Sequence, residues 1–338
     1  MPRPIRKEKG DSVMLSPETK VQFFSSGCTV LDLMLGGGWP LGRIFNIVGD
    51  RSTGKTLLAI EACANFTRKF PKGRMWYREA ESAFDEAYAE SIGMPVNKIS
   101  FIDREKHQFD TVEDFHDDLN KQCEFAQSKG GPGLYLLDSL DALTDESELK
   151  RGIDEKSYGA NKSKKLSELF RRCVRKIEQA EIALGIISQV RANIGVSFGR
   201  KTTRSGGKAL DFYTSQIIYV SHLETLYRTV MNEKMAYGIR VRVKCDKNKV
   251  GQAARECEFP IYFNYGIEDL VASLDFLIRA KCTDEIGMSE EKTKKVIRNV
   301  PYFSNAEYEE HRKAATHAVK LIWHEREDKL RMKRKKYD

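Results

Sequence analysis

"IFNIVGDRSTGKTLLAIEA" (residues 44–62) contains the motif that decides the fold. The apolar run at 44–48 predicts a buried strand, and the segment that follows residue 56 predicts a helix. Between them, residues 49–56 match the pattern G-x-x-x-x-G-K-[ST] without exception. A phosphate-binding loop requires this strand–loop–helix context. The stretch therefore predicts a nucleotide-binding α/β protein.

The residue types in this loop predict how a nucleotide is held. Main-chain N–H groups and the N-terminus of the following helix form a nest for phosphate oxygens. We expect Lys55 to reach the β- and γ-phosphates and Thr56 to ligate Mg²⁺, so the expected cofactors are ATP and Mg²⁺. The loop residues expected to contact the nucleotide are Gly49, Asp50, Arg51, Ser52, Thr53, Gly54, Lys55 and Thr56.

Hydrolysis needs two acids in addition to the loop. Asp138 ends the predicted strand "GLYLLD" (133–138), where it is placed to hold Mg²⁺ together with Thr56. The second acid has to orient or deprotonate water, and the segment after a strand predicted at 74–77 supplies Glu79 and Glu81. Spacing does not choose between these two, because both lie on the same side of an extended chain. The mechanism requires only one of them.

A long basic loop follows another predicted strand. In "IISQVRANIGVSFGRKTTRSGGKALDF" (186–212) the hydrophobic pattern stops after the glutamine. A loop of this size in a compact domain is usually functional or disordered. Arginine and lysine can pair with phosphates, and glycine lets the main chain approach a strand closely. The loop is therefore suited to binding phosphates, the alternative being a solvated surface loop.

Composition narrows the class of protein. The chain has 338 residues and a net charge of +8; residues 1–9 and 331–338 carry seven of these eight charges. Seven scattered cysteines form no C-x-x-C, which favours reduced thiols in a cytoplasmic protein. No apolar run reaches the length of a membrane span, and the N-terminus lacks the apolar stretch of a signal peptide. We expect no membrane partner.

Predicted strands alternate with helices from residue 44 to 189, which predicts an α/β fold with a mostly parallel central sheet. Closely spaced alternating segments between 215 and 263 predict antiparallel strands added at one side. From residue 269 the chain becomes helical and charged. Ser304 and Glu307 form a predicted capping box there.

Several stretches, in this order, resemble the RecA recombinase family over about residues 25–270. They are "SSGCTVLDLMLGGGWPLGRIFNIVGDRSTGKT", "EAESAFDEAYAESIGM", "LLDSLDALT", "SQVRANIGVSFGRKTTRSGGKALDFY", "KNK" (247–249) and "FNYGI" (263–267). A further stretch, "SYGANKSKKLSELFRR" (157–172), resembles the phage-type branch. The resemblance implies a RecA-like P-loop ATPase core at 28–268 with two DNA-binding loops. A short oligomerisation segment at 1–27 and a helical domain with a basic tail at 269–338 would flank it.

The resemblance also implies residue roles. Glu81 would activate water, and Gln189 would sense the γ-phosphate and pass its state to the DNA loop. Asp85 and Tyr88 would flank the adenine. The implied catalytic set is Lys55, Glu81, Gln189, Lys247 and Lys249, the last two acting on the ATP of a neighbouring subunit. Phe212 would lie at the subunit contact, and a first DNA loop would lie near 145–157. The second DNA loop would be 194–209, and the residues implied to contact DNA there and beside it are Arg191, Gly195, Arg200, Lys201, Arg204, Gly206, Gly207 and Lys208.

The function implied is an ATP-dependent DNA recombinase that forms filaments on single-stranded DNA, pairs it with homologous duplex DNA and exchanges strands. Its partners would be both DNA forms, its own copies in a helical filament, and single-strand-binding or loader proteins. It would act in the cytoplasm, that of the host if it is phage-encoded. Two alternatives remain: a ring-forming P-loop helicase, and a non-catalytic DNA-binding scaffold gated by ATP. The lysines of "KNK" favour the recombinase, and Glu81 favours catalysis.

Overall fold

The computed structural model describes residues 21–81, 84–103, 109–149, 160–192, 202–204 and 207–334. The strands are β1 (Phe23–Phe24), β2 (Trp39–Pro40), β3 (Ile44–Gly49), β4 (Arg74–Glu79), β5 (Ile99–Phe101), β6 (Gly133–Asp138), β7 (Ile182–Ala192), β8 (Thr202–Arg204), β9 (Gln216–Val230), β10 (Glu233–Asn248), β11 (Arg255–Tyr262) and β12 (Gly266–Ile267).

The α-helices are α1 (Thr29–Leu35), α2 (Lys55–Lys69), α3 (Glu86–Ile92), α4 (Val112–Lys129), α5 (Glu146–Leu149), α6 (Ala160–Gln179), α7 (Gly207–Tyr213), α8 (Asp269–Ala280), α9 (Glu290–Asn299) and α10 (Asn305–Leu330). Short 3₁₀ turns occur at Val96–Lys98, Thr283–Ile286 and Val300–Tyr302. Within the described ranges, none of these helices combines the length and the apolar character that crossing a membrane requires.

The strands form one large mixed sheet in the order β12-β11-β10-β9-β3-β7-β6-β4-β5. The part from β5 to β9 is parallel, and β10, β11 and β12 continue it antiparallel on the β9 side. Strand β8 pairs with β7 outside this order. The predicted α/β fold with a mostly parallel sheet and antiparallel strands at one side is therefore confirmed.

Helices cover both faces of the sheet, which explains why the central strands are buried along their length. Every residue of β3 and of β6 is buried, as expected for strands with two covered faces. One apolar cluster joins α1, α2, α8 and the second half of α10 to one face. A second cluster joins α4, α6 and α7 to the other face. The result is a three-layer α/β core.

Both ends of the described chain pack on this core. Phe24 in β1 is buried, and its ring meets Phe66 of α2 edge to face at 5.2 Å. Helix α10 begins with the predicted capping box, which is confirmed because Ser304 and Glu307 each bond the other's main chain. Its residues Val319 and Ile322 join the same cluster as α2. The proposed domain boundaries at 27/28 and 268/269 stay predictions.

The sheet places functional elements at two opposite edges. The parallel strands β3, β4, β6 and β7 run in one direction, so the loops that follow them lie along one edge, the carboxyl edge. The amino edge, where these strands begin, also holds the start of β9 and the end of β10, because Gln216 pairs with Asn248. This separation determines which predicted site residues can meet within one chain.

Candidate functional site

The phosphate-binding loop closes on itself between β3 and α2. Thr53 Oγ1 and Lys55 Nζ both donate to the main-chain oxygen of Asp50, at 2.9 and 2.6 Å. Gly54 precedes α2 with φ at 90°, a left-handed conformation that favours glycine. A β-carbon on Gly49 would lie 2.7 Å from the Val220 carbonyl oxygen, so β9 approaches too closely for any other residue.

Electrostatics around Lys55 favour an additional cation. Burial lowers the pKa of Lys55, and the nearby carboxylates of Asp138, Glu81, Asp50 and Asp141 oppose that shift. Four acids thus act on one buried ammonium group. A triphosphate alone would add negative charge to this region, whereas a triphosphate with a divalent cation would balance it better. The charge pattern therefore fits a nucleotide bound together with a metal ion.

Asp138 is held at the end of β6 by two hydroxyl donors. Thr56 Oγ1 and Tyr77 OH donate to the same oxygen, Oδ2, at 2.9 and 2.8 Å. Burial raises the pKa of Asp138 to about 6, although both hydrogen bonds act in the opposite direction. A hydroxyl beside a carboxylate at the start of the P-loop helix fits an Mg²⁺ ion in the manner of P-loop ATPases. The Asp138–Ser139 peptide is cis.

The two acids that the sequence left open have different surroundings. Glu79 accepts a hydrogen bond from the main-chain N–H of Glu81 at 2.8 Å, so its carboxylate binds within its own turn. The Glu81 carboxylate instead reaches neighbouring strands: its Oε1 accepts from Ser139 Oγ and, at 3.0 Å, from Gln189 Nε2. Glu81 is exposed, whereas Glu79 is half-buried. Glu81 therefore lies where β4 and β6 end beside β7.

The residues expected at the adenine lie at the start of α3. Asp85 is the N-cap of this helix and accepts a hydrogen bond from the main-chain N–H of Tyr88 at 2.9 Å. Burial raises the pKa of Tyr88, and the charge of Glu61 adds to the shift. Glu61 is six residues beyond Lys55 on α2, about 9 Å along the helix axis. Helix α3 packs against α2, and Tyr88 contacts the apolar cluster to which α2 contributes.

The predicted catalytic lysines do not join this group of residues. Lys247 Nζ donates to the main-chain oxygens of Asp211 and Phe212, the second at 3.0 Å, and Lys249 Nζ donates to Phe212 O at 3.1 Å. The Lys249 ammonium group lies 5.7 Å from the centre of the Phe212 ring, which is 69% exposed. All three residues lie at the amino edge of the sheet.

The predicted DNA-binding residues are only partly covered by the structure. Arg191 in β7 pairs with Thr203 in β8, and Arg204 is the last residue of β8. Gly207 and Lys208 open α7. Gly195, Arg200, Lys201 and Gly206 lie outside the described residues, as does 150–157 of the predicted first loop. The two sides of the second loop thus leave the sheet as an antiparallel pair.

Sequence reasoning missed two side chains that contact the site. Tyr77 lies in the neighbouring strand and donates a hydrogen bond to Asp138. A tyrosine in an apolar strand could have indicated this contact, because a buried hydroxyl requires a hydrogen-bond partner. Asp141 accepts a hydrogen bond from the main-chain N–H of Gln189 at 2.6 Å. Asp141 is the second acid in "LLDSLDALT", and an acid with no assigned role there could have indicated a contact with the site.

Comparisons with known proteins agree with this geometry. The family model of the RecA N-terminal domain matches residues 5–268. A protein named RecA from Prochlorococcus marinus strain NATL1A is 34% identical over 269 residues, which cover 79% of this chain and 67% of that relative. RecA of strain MIT 9303 is 33% identical, and RecA of Synechococcus sp. strain WH7803 is 32% identical. In both, the 256 aligned residues cover 76% of this chain and 63% of the relative. The matching region thus spans about two thirds of these relatives, and the chain belongs to the RecA family.

Proposed function

We propose that this chain is an ATP-dependent DNA recombinase that assembles head to tail on single-stranded DNA and pairs that strand with homologous duplex. Family membership implies ATP binding and an ATPase domain. Filament formation, strand exchange and the residue roles below are the proposal.

One observation carries the proposal: the nucleotide loop and the two lysines lie at opposite edges of one sheet. Lys249 N–H donates to Ser215 O at 2.8 Å, and Ser215 N–H donates to Ile44 O at 2.7 Å. Ile44 begins β3, whereas the phosphate loop follows its last residue, Gly49. Five residue steps of about 3.3 Å separate these two ends by roughly 16 Å. Lys247 and Lys249 are therefore out of reach of their own chain's phosphates.

This separation suits an assembly in which each copy completes the site of the next. The amino edge of one copy, with Phe212 and the two lysines, would face the carboxyl edge of another, with its phosphate loop. Such a contact joins two different surfaces, and repeating it generates a ring or an open helical filament. A cation delivered across the contact would stabilise charge that develops on the transferred phosphate. ATP turnover would then depend on assembly.

Within one site the proposed roles follow from contacts. Lys55 and the loop N–H groups would bind the phosphates, and Thr56 with Asp138 would hold Mg²⁺. When bound, Mg²⁺ would neutralise charge on the β- and γ-phosphate oxygens. Glu81 would take a proton from the attacking water. Gln189, bonded to Glu81, would exchange that partner for a phosphate oxygen, which would give the root of the second loop two states.

A joint-molecule assay tests the whole proposal. The protein is incubated with ATP, Mg²⁺ and single-stranded DNA, and then with homologous or heterologous duplex. We expect joint molecules with the homologous duplex alone, together with helical filaments in electron micrographs. Closed rings without joint molecules would instead indicate a helicase. DNA binding that requires ATP but releases no phosphate would indicate a scaffold.

A further inference from the structure

The ladder between β6 and β7 continues beyond the last residue of β6 through a side chain. The paired residues of these strands end with Leu137 opposite Ile186. Leu140 N–H then donates to Ile187 O at 3.0 Å as the chain turns away. Main-chain groups of alternate residues face the same neighbouring strand, so the next bond on this side of β7 belongs to Gln189. The partner there is the Asp141 carboxylate, whose Oδ2 accepts from Gln189 N–H at 2.6 Å.

A carboxylate in this place differs from a main-chain carbonyl in two ways. It makes a charge-assisted hydrogen bond, about twice as strong as a neutral one. It also joins Gln189 to the loop at 139–145 rather than to a strand. The main chain at Gln189 is thereby attached to that loop, while its side chain contacts Glu81.

The other end of this attachment is a lysine on α6. Lys162 Nζ donates to Leu140 O at 3.1 Å and also to Leu143 O. These carbonyls flank Asp141 in the same loop. Lys162 lies in the first turn of α6, directly after the segment predicted to form the first DNA loop. One short loop is thus bound on one side to Gln189 and on the other side to the start of α6.

We propose that Asp141 and Lys162 are positioning residues that join the nucleotide-sensing Gln189 to both predicted DNA loops, so that the loops respond to ATP together. A movement of the Gln189 main chain would carry the Asp141 carboxylate with it. The carbonyls on either side would follow and shift the first turn of α6. This inference rests on the proposed function, because it assumes that DNA and ATP act on each other.

Paired substitutions separate the hydrogen bond from the charge. Asp141→Ala removes both, whereas Asp141→Asn keeps an acceptor oxygen for Gln189 N–H and removes the charge, which also acts on Lys55. Lys162→Ala removes both carbonyl bonds at the other end. Arg171→Ala is the matched control, since it removes an exposed positive charge from α6 about two and a half turns further on.

The readout is the ratio of ATP turnover with saturating single-stranded DNA to turnover without DNA. A loss of folded protein lowers both rates alike and leaves the ratio unchanged. We expect a fall of about tenfold in the ratio for Asp141→Ala and for Lys162→Ala, and of no more than about threefold for Asp141→Asn. Arg171→Ala should match the wild type.

The double variant Asp141→Ala/Lys162→Ala tests whether the two residues act in series. If they do, the ratio should fall no further than in either single variant, because one break already interrupts the connection. A multiplicative loss of about a hundredfold would overturn the connection. So would a wild-type ratio in either single variant.

The failure of the proposed function gives a different result. A wild-type protein whose ATP turnover does not respond to single-stranded DNA, and which forms no joint molecules, would overturn the recombinase itself. A wild-type protein that responds to DNA, with an Asp141→Ala variant that responds equally, would overturn the connection through Asp141 and Lys162 and leave the recombinase standing. If Asp141→Ala does not fold, the same decision rests on Lys162→Ala against Arg171→Ala.

Discussion

Gln189 Nε2 donates a hydrogen bond to Glu81 Oε1 at 3.0 Å, and this bond joins β7, at the level where β3 ends, to the turn after β4. Ser139 donates to the same carboxylate oxygen. In the proposed mechanism Gln189 would bind a phosphate oxygen and Glu81 a water molecule. A change of partner by either group would therefore alter this bond. The bond therefore offers a simple physical link between the state of the nucleotide and the strand that carries the second loop.

The first prediction concerns the catalytic acid. Glu81→Gln keeps the size of the side chain and removes the base, so ATP should still bind while turnover falls by ~10²-fold or more. Filaments on single-stranded DNA should then persist after the ATP is mixed in. Nucleotide binding, phosphate release and electron microscopy measure the three effects.

Glu79→Gln is the matched control for that experiment. The Glu79 carboxylate accepts a main-chain hydrogen bond, and a glutamine oxygen can accept the same bond. Its turnover should remain within about threefold of the wild type. The opposite pattern, with Glu79→Gln inactive and Glu81→Gln active, would show that the roles of the two acids are exchanged.

The second prediction uses the buried carboxyl of Asp138. Burial raises its pKa from the usual value of 3.8 to about 6, so the folded protein binds this proton more tightly than the unfolded chain does. Its contribution to stability is therefore favourable at low pH and is lost as the pH rises from about 4 to 6. Asp138→Asn removes this cost and should raise the free energy of unfolding at pH 7.5 by about 1–3 kcal/mol without Mg²⁺.

Chemical denaturation at pH 4.5 and 7.5, with EDTA and with Mg²⁺–ATP, measures this effect. The difference between the variant and the wild type should shrink at pH 4.5. Mg²⁺–ATP should stabilise the wild type much more than Asp138→Asn, because binding to the folded state adds stability and the variant has lost a metal ligand. Equal stabilisation of both proteins would remove Asp138 from the metal site.

The sequence predicted the carboxyl edge of the sheet well for a physical reason. The loop at 49–56 and the acid at Asp138 each follow a buried strand, so local hydrophobic pattern and residue type are sufficient to place them. The contacts of Tyr77 and Asp141 were not predictable in this way. Each depends on which strands become neighbours in the sheet, and spacing along the chain carries no information about that order. The position of Lys249 near the start of β3 was not predictable for the same reason, because it also depends on which strands become neighbours.

The third prediction concerns the cationic C-terminus. Residues 331–338 hold five basic residues and one acidic residue, half of the net charge of +8. Each lysine or arginine that pairs with a phosphate of duplex DNA steepens the log–log salt dependence of binding by about 0.9. Truncation after Leu330 should therefore weaken duplex binding and reduce that slope by about two to four. Binding to single strands should change less.

Salt titrations of duplex binding by both proteins measure the slope. ATP turnover with saturating single-stranded DNA should remain close to that of the full chain, since the nucleotide site lies in the core. Identical slopes for the two proteins would leave this tail without a role in DNA binding.

The last prediction tests whether the site is shared between copies. Lys247 and Lys249 bind main-chain oxygens next to Phe212 at the amino edge, away from the phosphate loop of their own chain. A protein with both lysines changed to alanine should therefore bind ATP but hydrolyse it slowly. A Lys55→Ala protein should fail for a different reason, because it loses the phosphate-binding ammonium group. Each protein retains the surface that the other lacks.

Mixing these two inactive proteins on single-stranded DNA should restore part of the ATP turnover. At a contact between an intact lysine pair and an intact phosphate loop, one complete site forms. In an equal mixture that assembles at random, about one contact in four has this arrangement. Turnover should peak near equal proportions and fall at both extremes to the low rates of the separate proteins. Lack of recovery at every ratio, in filaments shown by labelled subunits to contain both proteins, would mean that each copy completes its own site. A movement within one chain would then be needed to bring the two lysines from the amino edge to the phosphate loop at the other end of β3.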